Sequence, residues 1–181
     1  RDRSPSRGLG DVYKRQQWSV IAEHPYIIAS YLWNMFDFAV PMWERGGVPA
    51  RNLKGMVTFD RKIKKDSYYW YKANWSKEPV LYLTQRRNVD RERKETSVTV
   101  YSNIGTPVVY LNGKPLEGIR KGYTEVHYVF DKVTLAQGKN ILKAVVSYQG
   151  KEYVDEIEWN YTGEKNRGTV VHENKKEHAG W

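Results

Sequence analysis

Residues 97–116 read SVTVYSNIGTPVVYLNGKPL and alternate between apolar and polar side chains around Val98 and Val100. A period of two places successive side chains on opposite faces of a strand, which indicates an antiparallel sheet with one buried face. Within the stretch, Asn112-Gly113 follows an apolar run, and this dipeptide is the strongest short-range signal for a type I′ hairpin turn. The stretch therefore predicts an antiparallel β domain.

The same alternation recurs downstream of this stretch. It is carried by Val126, Tyr128 and Phe130, then by Leu142, Ala144, Val146 and Tyr148, then by Tyr153, Ile157, Trp159 and Tyr161. Gln149-Gly150 marks a second tight turn between two of these runs. Residues 78–162 are therefore predicted to form an all-β sandwich, with the domain boundary near residues 76–79.

The chain upstream of the boundary has a different pattern of apolar residues. Residues 16–23 carry apolar side chains at spacings of three and four and precede a proline, which predicts the end of a helix. Residues 26–33 (YIIASYLW) form an unbroken apolar run, which is typical of a parallel strand buried on both faces. A long loop follows, and then a helix capped by Asp66 and Ser67, with Tyr68, Tyr71 and Trp75 on one face. Helix, strand, long loop and helix in this order predict that residues 17–77 are the last β/α unit of a TIM barrel.

The two ends of the chain lack this patterning. Residues 1–16 are polar, begin with Arg1 rather than Met and are expected to be a non-native or disordered start. Residues 163–181 are polar and weakly patterned, which suits a linker or a truncated tail. We therefore expect a piece of a longer protein.

The composition argues against several classes of partner. Lys and Arg exceed Asp and Glu by 30 − 21 = 9, but acids are interspersed in the basic run 86–94, and the run 61–65 has no recognised nucleic-acid fold beside it, so we predict solvated faces and no nucleic acid. No apolar run reaches the roughly 20 residues of a membrane span. With no cysteine, four scattered histidines and no Gly-rich phosphate loop, the sequence predicts no metal and no cofactor.

Side-chain chemistry concentrates in residues 31–54, which leave the carboxyl end of the predicted strand, where barrel enzymes keep their sites. Trp33 offers a flat apolar platform for a pyranose ring, and Asp37, Asn52 and Lys54 could bind hydroxyls or an acidic group. The alternative interpretation is that Trp33 and its apolar neighbours are core residues. These four residues are the predicted substrate-binding set.

Asp37 and Glu44 are the carboxylates of this segment. A glycosidase needs two carboxyl groups roughly 5 to 9.5 Å apart in a pocket that tunes their acidity, and one barrel unit cannot form that pocket. We therefore predict no catalytic residue in this chain.

Two stretches carry a resemblance to a known family. YLWNMFDFA (residues 31–39) and NLKGMVTFDRKIKKDSYYWYKANW (residues 52–75) resemble the eighth barrel strand, its loop and the last helix of glycoside hydrolase family 2. The following β domain is similar to the immunoglobulin-like modules that trail the barrel in bacterial β-galactosidases of that family.

The resemblance implies a retaining, exo-acting β-glycosidase whose two catalytic Glu residues lie on earlier barrel strands, so that this fragment alone is inactive. Trp33 would line the subsite of the terminal sugar and Asp37 would support it, while Asn52 and Lys54 would approach its distal edge. The helix start at residues 64–66 resembles the galactosidase branch, which makes β-galactosidase the first expectation. Asn-x-Lys at this place is also what β-glucuronidases use for a substrate carboxylate, so β-glucuronidase is the alternative.

The implied partners are a carbohydrate substrate and the missing amino-terminal domains of the same chain, with a homo-oligomer left open. The family is compatible with a periplasmic or secreted location. A third alternative, from a different class, is a non-catalytic carbohydrate-binding or interaction module made of the β-sandwich alone.

Overall fold

The structure, a computed structural model, describes residues 9–42 and 48–163. The described residues form two compact units, and the boundary between the units falls between Tyr68 and Tyr69. Across both described ranges, no helix has the length and apolar character that crossing a membrane requires.

The first unit opens with helix α1 (Leu9–Glu23). Its end before His24-Pro25 confirms the predicted helix stop, and the His24 ring closes it by contacting the Val20 carbonyl oxygen at 2.7 Å. The helix starts inside the segment 1–16, which was expected to be a non-native or disordered start. Its residues 9–16 are helical, so they are not disordered here, while a non-native origin stays a prediction and residues 1–8 lie outside the described part.

Residues 26–33 do not form the predicted strand. Ile28 is 98% exposed and Tyr31 is 93% exposed, where a buried strand was expected. A parallel strand forms only when neighbouring strands pair with its backbone, and none of the described residues supplies one. The apolar run is therefore mostly exposed among the described residues.

The long loop after Trp33 contains short strands of its own. β1 (Phe38–Ala39) pairs in antiparallel fashion with β2 (Arg51–Asn52). Val57 forms a parallel bridge with Phe36 and an antiparallel bridge with Lys64. Residues 43–47, which include Glu44, lie outside the described residues.

Helix α2 (Asp66–Trp75) begins at its predicted residue and carries an acidic side chain in its first turn, where the helix dipole favours it. Trp70 is fully buried, whereas Trp75 is 52% exposed. On the predicted face of Tyr68, Tyr71 and Trp75, Tyr71 is buried and its ring lies 4.5 Å from that of Trp75. Trp70 was not singled out, because residues on several sides of this helix are aromatic and spacing alone could not select among them.

The second half of α2 belongs to the second unit. Tyr69 stacks on Tyr82 with ring centroids 3.8 Å apart, and Trp70 meets His127 edge-on at 5.3 Å. The division at Tyr68 therefore precedes the boundary predicted near residues 76–79, since the aromatic rings of the helix pack on strands of the second unit.

Nine strands make up the rest of the second unit within the described residues. They are β3 (Leu81–Leu83), β4 (Asp90–Arg91), β5 (Glu95–Ser102), β6 (Val108–Leu111), β7 (Lys114–Pro115), β8 (Ile119–Lys121), β9 (His127–Thr134), β10 (Gly138–Tyr148) and β11 (Lys151–Tyr161). One sheet has the order β4-β11-β10-β6-β7, and the other has the order β3-β5-β9-β8. All neighbours are antiparallel except β4 and β11.

Both predicted tight turns have the backbone that a type I′ hairpin requires. Asn112 and Gly113, between β6 and β7, have φ values of 50° and 80°. Gln149 and Gly150, between β10 and β11, have φ values of 49° and 73°. Both predictions are confirmed.

The core lies between the two sheets. The five-stranded sheet contributes Val109, Leu142, Ala144, Ile157 and Trp159, and the four-stranded sheet contributes Leu83, Val98, Val100, Tyr128, Phe130 and Val133. The second unit is thus a β-sandwich whose inward positions are those that the alternating pattern marks. The immunoglobulin type of this sandwich and the barrel origin of the first unit stay predictions.

Candidate functional site

The predicted site segment is held by a short backbone ladder within the first unit. Met56 donates its N–H to the Asn34 carbonyl at 3.1 Å, and Val57 donates to the Met35 carbonyl at 2.9 Å. In the opposite direction, Asp37 donates its N–H to the Val57 carbonyl at 2.9 Å. The residues that follow Trp33 and those that follow Lys54 are therefore fixed side by side.

Trp33 lies at the surface of this frame. Trp33 is 70% exposed among the residues of this chain, and the choice between a platform and a core residue stays a prediction. Its indole meets the ring of Phe38 edge-on, with centroids 5.8 Å apart. Because Phe38 pairs with Asn52 across β1 and β2, the indole and Asn52 share one neighbourhood. An exposed indole held from one side keeps a free face for an apolar ligand surface.

Asp37 lies beneath this surface rather than on it. Its side chain is 3% exposed, and its Oδ1 accepts hydrogen bonds from Lys65 Nζ at 2.6 Å and from the Gly55 N–H at 2.9 Å. Lys65 Nζ also donates to the Leu53 carbonyl at 2.9 Å. The structure therefore gives Asp37 a supporting position, with its Oδ1 already accepting two hydrogen bonds.

Gly55 is confined by the same frame. A Cβ atom at this position would lie 2.1 Å from both the Asp37 nitrogen and the Phe36 carbonyl carbon. These neighbours are backbone atoms that already take part in the ladder, so they cannot move aside cheaply. Only glycine allows the two segments to approach this closely.

Asn52 and Lys54 belong to the turn that precedes the ladder residues Met56 and Val57. Asn52 is buried, and its Oδ1 accepts the Lys54 N–H at 3.0 Å. The Lys54 carbonyl accepts a hydrogen bond from Lys14 Nζ at 2.8 Å, while the Lys54 side chain itself is exposed. Among residues 9–42 and 48–163, the Lys54 ammonium has no hydrogen-bond or ion-pair partner. The turn thus presents a positive charge to solvent on a braced backbone.

The structure brings the four predicted residues into one region but divides their roles. Trp33 and Lys54 are at the surface, whereas Asp37 and Asn52 hold the backbone from inside. Lys65 was missed by the sequence reasoning, because a lysine next to another lysine at a helix start is typical of a solvated face. The Asn-x-Lys-Gly spacing could have pointed to Gly55.

Comparison with known proteins relates this region and the sandwich to one class of enzymes. No protein-family model matches the chain. A β-glucuronidase of Bacteroides fragilis is 37% identical over 150 residues, which are 82% of this chain and 21% of that protein.

Solved structures extend the comparison. The crystal structure of a "putative beta-galactosidase" from Bacteroides fragilis is 73% identical, with a TM-score of 0.83, and the match covers 90% of this chain and 25% of that one. An FMN-binding β-glucuronidase from Faecalibacterium prausnitzii L2-6 is 37% identical, with a TM-score of 0.73, over 85% of this chain and 23% of that one. The chain spans about a quarter or less of the length of these relatives. It is therefore homologous, over most of its own length, to one part of a β-glycosidase.

Proposed function

We propose that this chain supplies one wall of the sugar site in a retaining, exo-acting β-glycosidase of glycoside hydrolase family 2. The two catalytic Glu residues would belong to barrel strands outside this sequence. The similarity to a β-glucuronidase and to a structure described as a "putative beta-galactosidase" supports a glycosidase, and the exposed indole of Trp33 supports a pyranose platform. Asp37 is the one carboxylate described in residues 31–42 and 48–54, and Lys65 already holds it.

The observation that carries the choice of sugar is the exposed ammonium of Lys54. It stands on a turn that Asn52 and Gly55 brace, and Asn52 pairs with Phe38, whose ring contacts the Trp33 indole. A cation at the edge of an apolar platform favours a sugar that bears a carboxylate, because charge-assisted hydrogen bonds are stronger than neutral ones. The first candidate activity is therefore that of a β-glucuronidase, with Lys54 binding the uronate group.

The second candidate is a β-galactosidase, which is the first expectation from the sequence. The 73% identity to the protein described as a "putative beta-galactosidase" favours it. In that case, Lys54 would donate a hydrogen bond to a sugar hydroxyl rather than pair with a carboxylate. The two candidates differ in how strongly the binding of a charged substrate should depend on Lys54.

The experiment compares this 181-residue chain with the longer gene product that contains it, using 4-nitrophenyl β-D-glucuronide and 4-nitrophenyl β-D-galactoside. We expect turnover only by the longer protein, with the glucuronide preferred. Turnover by the isolated chain would overturn the assignment of catalysis to residues outside it. A preference for the galactoside would select the second candidate.

A matched pair of lysine variants tests the role of Lys54. In the longer protein, Lys54→Met should raise the KM for the glucuronide by about tenfold or more, which corresponds to about 1.4 kcal/mol at 25 °C, with a smaller effect on the galactoside. Lys62→Met removes a second exposed lysine from the same unit and should leave both KM values unchanged. Equal effects of the two variants would contradict uronate binding by Lys54.

The non-catalytic module remains testable in parallel. Under that hypothesis, the sandwich tested as residues 66–163, so that α2 is retained, should bind mono- or oligosaccharides in calorimetric titration. We expect no heat of binding, because the residues proposed to contact sugar precede the sandwich. Saturable binding by the sandwich would favour the module instead.

A further inference from the structure

A buried lysine in the first unit is not explained by the substrate-binding set. Lys65 has a side chain only 5% exposed, and lysines are almost never fully buried unless they are paired. Its Nζ donates to Asp37 Oδ1 at 2.6 Å and to the Leu53 carbonyl at 2.9 Å. The ammonium thus joins a side chain from one segment to the backbone of another.

The two ends of this interaction enclose the Lys54 turn. Lys65 holds the carbonyl of Leu53, the residue before Lys54. Asp37, the partner of Lys65, holds the N–H of Gly55, the residue after Lys54, at 2.9 Å. One ion pair therefore fixes the backbone on both sides of the residue whose ammonium faces solvent.

The backbone of Lys65 is fixed as firmly as its side chain. Its N–H donates to the Met56 carbonyl at 2.8 Å, and the neighbouring Lys64 bridges to Val57. Because Met56 in turn donates to the Asn34 carbonyl, the lysine is tied to the segment that follows Trp33. The ammonium is held at one place relative to both the platform and the turn.

A buried ion pair of this kind needs a reason other than stability. Well-packed apolar residues of similar volume often serve a fold as well as a buried salt bridge does, because the desolvation of the two charges offsets their attraction. The Asp37 and Lys65 pair makes two directional bonds to the backbone that apolar side chains could not make. What the pair adds is a defined geometry of the turn.

We propose that Lys65 is a positioning residue, which acts through the turn of Leu53, Lys54 and Gly55 to aim the Lys54 ammonium at the charged group of the substrate. The inference rests on the proposed function, since it assigns Lys65 a role only if Lys54 meets a substrate. Lys65 itself touches no substrate. Its effect should therefore disappear when Lys54 is already absent.

The test is a double-mutant cycle in the longer protein that contains this chain. One arm replaces the buried pair by Asp37→Asn with Lys65→Met, which leaves no unpaired charge and keeps an oxygen for the Gly55 N–H. The second arm is Lys54→Met, and the third combines all three substitutions. The KM and kcat for 4-nitrophenyl β-D-glucuronide and β-D-galactoside are measured for each.

We expect the pair replacement to raise the glucuronide KM at least fivefold with kcat within about threefold, and to raise it no further when Lys54→Met is present. A merely structural role would lower kcat for both substrates and would be additive with Lys54→Met. Additive effects, or an unchanged glucuronide KM in the pair replacement, would overturn the positioning role.

Two further comparisons separate the possible failures. If Lys54→Met leaves the glucuronide KM unchanged, the proposed uronate site fails, whatever Lys65 does. If the pair replacement does not fold, Asp37→Asn with Lys65→Gln replaces it in the same cycle, because the neutral amide keeps a donor but loses the reach of the ammonium, and no buried charge is left unpaired. Lys62→Met, at an exposed position, controls for loss of positive charge from the same segment.

Discussion

The indole of Trp70, in the second half of α2, meets the ring of Tyr101 on β5 edge-on, with ring centroids 5.3 Å apart. Tyr101 and Trp70 are both fully buried. Edge-to-face pairs of this kind add to the free energy of burying two large rings. The helix is therefore part of the sandwich core from Tyr69 onward, and it is not an appendage of the first unit.

The two tryptophans of α2 should respond differently to truncation. Trp70→Ala should lower the free energy of unfolding of the second unit by about 3–5 kcal/mol, because it removes a fully buried ring. Trp75→Ala, at a position 52% exposed in the same helix, should cost about 1 kcal/mol or less. Urea unfolding followed by circular dichroism measures both, and equal costs would contradict the burial difference.

The position of the division in sequence gives a second prediction. A fragment of residues 66–163 should fold cooperatively, whereas a fragment of residues 78–163 should be markedly less stable. The shorter fragment lacks Trp70 and also Ser76, whose carbonyl accepts a hydrogen bond from the Asn103 side chain at 3.0 Å. Thermal unfolding of the two fragments under the same conditions is the measurement. Equal midpoints would show that the sandwich does not need α2.

Gly55 gives a local prediction for the site. Gly55→Ala should reduce the protection of the Asp37 and Val57 amides against hydrogen exchange more than tenfold, because the added Cβ would lie 2.1 Å from backbone atoms of the ladder. Gly113→Ala is the control. It has nothing within 4 Å but a φ of +80°, so it should cost about 1–2 kcal/mol of turn strain and leave the exchange of both amides unchanged.

Tyr71 makes the stability of the second unit sensitive to alkali. Burial raises the pKa of Tyr71 from 10.0 to about 12. An unfolded chain therefore releases this proton near pH 10, while the folded chain keeps it until about pH 12. Its contribution to stability is complete below pH 10 and is lost as the pH rises through 12.

The measurement is urea unfolding at closely spaced pH values between 9 and 12. Tyr71→Phe should flatten the decline in stability across this window, since it removes the titrating group. Tyr153→Phe, at a half-buried position on β11, serves as the comparison. A decline of equal steepness in both variants would exclude Tyr71 as its cause.

Much of the sandwich could be predicted from the sequence because its signals are local. The alternation that includes Val98 and Val100 marks one face of a strand, and the two turns need the positive φ values that Asn112, Gly113 and Gly150 tolerate. These features depend on neighbours in sequence. They did not require knowledge of which strands pair.

What the sequence could not show depends on contacts between distant residues. The charge of Lys65 predicts a solvated side chain, and only the tertiary approach of Asp37 makes its burial favourable. The aromatic residues of α2 are too numerous for their spacing to single out Trp70. Trp33 and Lys54 were found as candidate site residues, but the division between surface and supporting roles came from the structure.

The apolar run of residues 26–33 has a further consequence for how this chain would behave by itself. With Tyr26 74% exposed and Ile28 98% exposed, the segment has strand-forming side chains but no strand in the described residues to complete. Its conformation therefore depends on whether another strand pairs with its backbone. The edge strand of a sheet in another chain could pair with it and hold it extended. In concentrated solution, we therefore expect this segment to be the part of the described chain most prone to self-association. Replacement of Ile28 by a charged residue should delay aggregation without altering the sandwich.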